Sequence, residues 1–143
     1  MPSGRRSKRR PDPPAPTFFL DRGLGRYLVA DAIRARGYTV LPMAEVYLDG
    51  EDERVPDADW IERADREGWV ALTKDYAIIR DHIETLSRTS LRVFSLNNAN
   101  LTGPQMAERF SLHLNRIVQR ATKPGPYLYV IGAKGLERRW PGG

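Results

Sequence analysis

An α/β domain on a mainly parallel sheet, with helices on both faces and a C-terminal β-hairpin, is the fold class this sequence predicts. Three observations carry it. Short apolar runs alternate with segments of helical periodicity, the pattern of strands joined by crossover helices. The runs Phe18-Phe19-Leu20 and Trp69-Val70-Ala71-Leu72-Thr73 read as buried strands, as a sheet covered on both faces requires. Finally, Pro126-Tyr127-Leu128-Tyr129-Val130-Ile131 and Leu136-Glu137-Arg138-Arg139-Trp140 flank Gly132-Ala133-Lys134-Gly135, which reads as a hairpin.

After Phe18–Leu20, the residues Leu24, Tyr27, Leu28, Ala32 and Ala35 recur at helical spacing, and Gly37 supplies a stop. Tyr38-Thr39-Val40-Leu41 is the next strand, completing a β-α-β unit whose crossover is expected to be right-handed. A helical turn around Met43–Leu48 and an acidic loop, Asp49-Gly50-Glu51-Asp52-Glu53, lead to a helix over Asp57–Gly68 with Trp60, Ile61 and Ala64 on one face. Strand Trp69–Thr73 follows, then one or two helical turns within 75–88 and strand Leu91–Leu96. Thr102-Gly103-Pro104-Gln105 has the form of a capping box, and Met106, Phe110, Leu114, Ile117, Val118 and Ala121 continue from it as the strongest helical stripe in the chain. Pro124-Gly125 ends that helix.

The chain has 143 residues, the size of one domain and enough to bury a core unaided. Hydrophobic content of 41% and charged content of 29% are those of an ordinary soluble protein. No apolar run is long enough for a membrane span and no signal peptide is visible. The absence of cysteine excludes disulfides, zinc–thiolate sites and thiol catalysis, and fits a cytoplasmic setting. The net charge of +5 is uneven: Arg5, Arg6, Lys8, Arg9 and Arg10 stand against Asp12 alone in residues 1–16. The expected organisation is a disordered basic arm over 1–16 and a single domain over 17–143. The arm either attracts nucleic acid by counterion release or solubilises the chain.

The chemistry lies in the acids. Asp21 ends the first strand, Asp75 follows the strand ending at Thr73, and Asp57 opens the helix leading into that strand. If those strands are parallel neighbours, their ends meet at the crevice where open α/β sheets bind ligands. Carboxylates gathered there suit Mg²⁺ or Mn²⁺, which prefer oxygen ligands and keep waters and substrate phosphates in their shell. Such an ion acidifies a bound water and stabilises charge on an attacked phosphate, so neither cysteine nor a histidine base is needed. Each acid also has a structural alternative. Asp57 or Asp59 would cap the helix, and Asp59 with Glu62 makes the preferred capping box. Asp21 would shape a strand-to-helix turn, and Asp75 would cap the segment after it.

Other signals are weaker. Gly23-x-Gly25 lacks the third glycine of a dinucleotide fingerprint, and the acids at 49–53 lack calcium-loop spacing. His82 and His113 have no metal-ligand pattern around them and read as structural or exposed, and the three tryptophans read as core.

Four segments together resemble the PIN-domain superfamily, in its short branch related to the VapC toxins of bacterial toxin–antitoxin systems. They are Phe18-Phe19-Leu20-Asp21-Arg22-Gly23-Leu24-Gly25, Pro56-Asp57-Ala58-Asp59-Trp60-Ile61-Glu62-Arg63-Ala64, Gly68-Trp69-Val70-Ala71-Leu72-Thr73-Lys74-Asp75 and Asn97-Asn98-Ala99-Asn100-Leu101-Thr102-Gly103. The resemblance implies a Rossmann-like sheet and a metal-dependent endoribonuclease in which Asp21, Asp57 and Asp75 hold Mg²⁺ or Mn²⁺ and a metal-activated water attacks RNA. A further acid is expected between the first strand and the helix opened by Asp57. Glu45 is its best positional match, with Asp49 and Glu51 competing, although this stretch is shorter than in a full-length PIN toxin. Arg22, Arg26 and Lys74 are the expected phosphate contacts, or else plain surface charge. RNA and a cognate antitoxin are the implied partners, with a homodimer left open and no membrane. The alternative is a non-catalytic RNA-binding or regulatory module of the same fold, and a third reading makes the hairpin a protein interface.

Overall fold

The computed structural model describes residues 14–142. The basic arm falls outside these residues except for 14–16. One sheet of six strands runs in the order β2-β1-β3-β4-β5-β6. Its members are β1 (Thr17–Leu20), β2 (Thr39–Pro42), β3 (Val70–Thr73), β4 (Arg92–Leu96), β5 (Tyr127–Ile131) and β6 (Leu136–Trp140). All neighbours are parallel except β5 and β6, the two arms of the expected hairpin. The helices are α1 (Leu28–Arg34), α2 (Met43–Val46), α3 (Asp57–Glu67), α4 (Ile78–Ser87) and α5 (Gly103–Arg120), with 3₁₀ turns at Arg22–Leu24 and Glu51–Glu53.

Successive strand residues point to opposite faces, which explains the uninterrupted apolar runs. Phe18, Leu20, Val70, Leu72, Phe94 and Leu96 pack under α1 and α5. Phe19, Ala71, Val93 and Leu128 pack under α2, α3 and α4 on the other side. Phe19 stacks on Trp69 with centroids 5.5 Å apart and meets Trp60 of α3 at 5.3 Å. Removing a ring so enclosed costs about 3–5 kcal/mol. Gly68 ends α3 at φ +75°, a left-handed position that an L side chain rarely adopts. The capping box on α5 forms as expected: the Gln105 N–H donates to the Thr102 hydroxyl, and the Gln105 side chain accepts from the Thr102 N–H.

Three local expectations give way. The helix expected from Leu24 begins only at Leu28, because Gly25 at φ +72° ends a 3₁₀ turn and resets the phase. Val29, Ala30 and Ile33 therefore form its buried face, while Tyr27 and Leu28 are 66% and 54% exposed. Asp59 does not cap α3: Pro56 occupies that position without a side-chain hydrogen bond, and both Asp57 and Asp59 fall in the first turn. The segment after Asp75 is longer than the expected one or two turns, since α4 runs ten residues across a bend at His82 (φ −135°, ψ 28°).

From β1 the chain crosses to β2 at the sheet edge, then returns to place β3 on the other flank of β1. Connections thus depart in opposite directions around β1. The crevice beyond the carboxyl ends of β1 and β3 is the topological switch point.

Candidate active site

Asp21 follows directly from β1. Its N–H donates to the Leu72 carbonyl at 3.1 Å, extending the β1–β3 ladder by one rung, so its side chain is set by the sheet. One carboxylate oxygen, Oδ1, accepts from the Gly23 N–H at 2.8 Å; the other, Oδ2, accepts from the Thr73 hydroxyl at 2.7 Å. Burial pushes the Asp21 carboxyl above its ordinary pKa; the bonds from Thr73 and Gly23 pull the other way, the charge of Asp57 adds to the rise, and Arg22 opposes it. Asp21 is thus held in one orientation, with the negative charge of Asp57 close by.

Asp57 reaches the same crevice from the first turn of α3, where a carboxylate is favoured by the exposed helix N–H groups. Trp60, one turn on, is fully buried against Phe19, and its indole Nε1 donates to Asp57 Oδ1 at 2.9 Å. The ring that packs α3 onto the sheet therefore also aims the acid. His82 Nε2 lies 3.2 Å from the other oxygen, Oδ2, and Arg22 Nη1 lies 3.6 Å from Oδ1. Asp57 and Arg22 are each about two-fifths exposed, so their ion pair contributes well under 1 kcal/mol.

Asp75 is exposed at the end of β3. Its N–H donates to the Thr73 hydroxyl at 3.4 Å, and its Oδ1 accepts from the Ala77 N–H at 2.9 Å. The Thr73 hydroxyl thus ties the first acid to the backbone of the third. Asp75 shapes the turn into α4 without capping that helix, whose N-cap position falls on Ala77 with no side-chain bond, and it remains at the mouth of the crevice.

The remaining expected residues are placed differently. Glu45 lies on α2 and pairs with Arg34 at 3.1 Å. Among the described residues no hydrogen bond or ion pair joins Glu45 to Asp21, Asp57 or Asp75. Asp49 and Glu51 are exposed in the neighbouring turn, and Glu51 pairs with Arg54. Arg22 is a strap: Nε and Nη2 donate to the Asp52 carbonyl at 3.1 and 2.6 Å, and Nη2 donates to the Val55 carbonyl at 2.7 Å, fastening the turn before α3 to the turn after β1. Arg26 is exposed, over the Tyr27 ring at 5.8 Å. The Lys74 stem crosses Gly23 so closely that a Cβ there would lie 3.2 Å from Lys74 Cγ and Cδ and 3.3 Å from Asp21 Oδ1. The Lys74 stem therefore packs over the Gly23 turn, beside Asp21.

Thr73, Trp60 and His82 belong to the site without having been singled out for it. Thr73 is buried at a strand end, the one available cue. Nothing in the spacing of His82 relates it to Asp57; the bend in α4 does.

Among the described residues no three His, Cys, Asp or Glu side chains stand close enough to form a ready metal cage. The donor set still fits a hard cation. Mg²⁺ commonly takes one or two carboxylates and completes its shell with water and substrate phosphate, and the mutual repulsion of Asp21 and Asp57 is what such an ion relieves.

The sheet order and the acids at its switch point define a Rossmann-like α/β domain with an acidic ligand crevice. A family model described as "PIN like domain" matches residues 16–98, which include Asp21, Asp57, Asp75 and His82. A protein of Mycobacterium tuberculosis (strain ATCC 25618 / H37Rv) named "Putative ribonuclease VapC45" is 32% identical over 123 residues, covering 85% of this chain and 89% of that protein. The chain belongs to the PIN-like domain family, with VapC-type kinship. No solved structure gives a significant match.

Proposed function

We propose that the chain is a Mg²⁺- or Mn²⁺-dependent endoribonuclease and the toxin of a toxin–antitoxin pair. The observation that carries this reading is Asp21, held by Thr73 and Gly23 at the β1–β3 switch point, with its pKa raised by burial and, to a lesser degree, by the nearby charge of Asp57. The similarity to a protein named as a ribonuclease supplies the substrate class. RNA and a cognate antitoxin are the proposed partners, with the cytoplasm as the place of action, a basic arm over 1–16 and one domain over 17–143.

Asp21, Asp57 and Asp75 are the proposed metal ligands. When bound, a divalent cation neutralises charge on the attacked phosphate and acidifies a water. The chain's own groups fix the geometry. Thr73 and Gly23 hold both Asp21 oxygens, while Trp60 and His82 aim Asp57. Arg22 keeps the turn before α3 in place, and Lys74 offers its ammonium to the RNA backbone. Glu45 takes part only by exchanging Arg34 for the ion.

A second reading, a non-catalytic RNA-binding module, is favoured by the lack of a three-residue metal cage among the described residues. Cleavage of single-stranded RNA separates the two. The nuclease reading expects Mg²⁺- or Mn²⁺-dependent cleavage that chelator abolishes and that Asp21→Asn and Asp75→Asn remove without unfolding the chain. Equal cleavage in chelator eliminates the metal mechanism, and binding without cleavage under any divalent ion favours the module. Growth arrest on expression, relieved by a neighbouring gene product, tests the toxin role.

A further inference from the structure

The C-terminal hairpin lies beyond the stretch matched by the family model, yet it reaches the edge of the acid crevice through one contact. Arg139, on β6, holds its guanidinium over the ring of Tyr76 with Cζ 4.8 Å from the centroid. Tyr76 directly follows Asp75. Its backbone is fixed by the turn in which Asp75 Oδ1 accepts from the Ala77 N–H and the Asp75 carbonyl accepts from the Ile78 N–H at 3.5 Å. Tyr76 as a residue is nevertheless 36% exposed. A β-bulge makes the contact available: pairing slips between Leu128↔Trp140 and Tyr129↔Arg138, so Arg139 has no partner residue across the ladder. Trp140, partly buried, meanwhile packs against the core cluster that includes residues of α3 and α4.

An aromatic ring anchored at its backbone, backed by a cation and left partly open beside an acidic crevice has the properties of a base-stacking platform. Single-stranded RNA presents unpaired bases that stack on aromatic rings and on arginine planes, largely without regard to sequence. We propose that Tyr76, backed by Arg139, is a nucleobase-stacking subsite that seats an unpaired RNA base beside the phosphate held at the crevice. The inference rests on the ribonuclease reading for its substrate class. Lys74, Asp75 and Tyr76 then divide the work over three consecutive residues: backbone charge, acid and base plane. The hairpin becomes part of the RNA site, and duplex RNA, whose bases are already stacked, is a poor ligand.

The test is equilibrium binding of a fluorescein-labelled ten-nucleotide single-stranded RNA to the full chain in an Asp21→Asn background, which binds without cleaving. Tyr76→Ala should weaken binding about ten-fold or more, Arg139→Ala by less, and Tyr76→Trp should restore or tighten it. Oligonucleotides with one abasic position, scanned along the strand, provide the readout that a purely structural latch would not move. At one position the penalty of Tyr76→Ala should vanish, because the stacked base is already gone. Unchanged affinity of Tyr76→Ala, or the same penalty at every abasic position, overturns the subsite. Tyr76-dependent binding by a wild-type chain that cleaves under no divalent ion would sink the nuclease reading and leave the subsite standing. Cleavage with a KM indifferent to Tyr76→Ala does the reverse.

Discussion

The two ends of the parallel sheet both carry an acid held by backbone N–H groups, and they treat it oppositely. At the amino end, Asp65 Oδ1 accepts from the Ser90 N–H at 2.8 Å. Beside it Arg92 spreads its guanidinium between the carbonyls of Gly68, at 2.9 Å, and Ala121. The Tyr127 hydroxyl lies within hydrogen-bond reach of the Arg120 and Lys123 carbonyls, and burial pushes its pKa up to about 12, so it stays neutral. Polar groups at this end find partners of complementary character. Cavities of about 320 and 420 Å³ open here, the first lined by Asp65, Arg92 and Lys123, the second by Pro14, Tyr38 and Val118. At the carboxyl end Asp21 is equally well hydrogen-bonded, yet its ionised form is disfavoured by burial and by Asp57. Hydrogen-bond satisfaction thus serves stability at one end and orientation at the other, where the buried carboxylate remains disfavoured despite its hydrogen bonds and the nearby Arg22.

The sharpest way to break this contrast is to neutralise the carboxyl end. Asp21→Asn keeps an oxygen for the Gly23 N–H and an amide for the Thr73 hydroxyl, and should lower RNA cleavage by about 10³-fold or more. The same change should leave the metal-free chain as stable or more so, by up to about 2 kcal/mol in denaturant unfolding, because a disfavoured charge is gone. A large loss of stability would show that Asp21 is structural in the manner of Asp65. The reciprocal change is Arg92→Ala, which strips two carbonyls of their donor. It should cost about 1–3 kcal/mol while leaving kcat of the folded protein unchanged; a fall in kcat would join the two ends functionally.

Thr73→Val is the finer probe. It preserves the shape of a buried strand end but removes the donor to Asp21 and the acceptor for the Asp75 N–H, and should reduce kcat about 10- to 100-fold. The smallest expected effect is on pH dependence. Asp21 has its pKa raised in the folded chain, so between the ordinary aspartate value near 3.9 and that raised value the native state binds more protons than the unfolded state. Its contribution to stability is therefore lost as pH rises through this window, opposite to the behaviour of a salt-bridged aspartate. Thermal unfolding without metal should show this fall in wild type and a flatter profile in Asp21→Asn. Identical profiles would remove the electrostatic difference between the two ends.

Much of the frame was legible in the chain because period and punctuation are local properties. The apolar runs, the stripe from Met106 to Ala121 with its Thr102–Gln105 cap, and the Gly132–Gly135 turn each specify themselves within a few residues. The positions of Asp21 and Asp75 followed from the same logic, since both sit at strand ends. What escaped was set by contacts across the fold. The phase of α1 depended on a left-handed Gly25, which turned Tyr27 and Leu28 outward and Val29 inward. The approach of His82 to Asp57 depended on a bend in α4. Arg22, expected among the phosphate contacts, straps the Asp52 and Val55 carbonyls 30 and 33 residues away. The reach of the hairpin to Tyr76 depended on a bulge in β6. No spacing rule encodes any of these.

The account stands on Asp21 and Asp57 sharing one divalent cation at the β1–β3 crevice. Mn²⁺ binding followed by electron paramagnetic resonance tests this without reference to catalysis. A saturable site in the wild-type chain, lost or weakened at least ten-fold in both Asp21→Asn and Asp57→Asn, is the result expected. Undiminished Mn²⁺ affinity in both folded variants would contradict it.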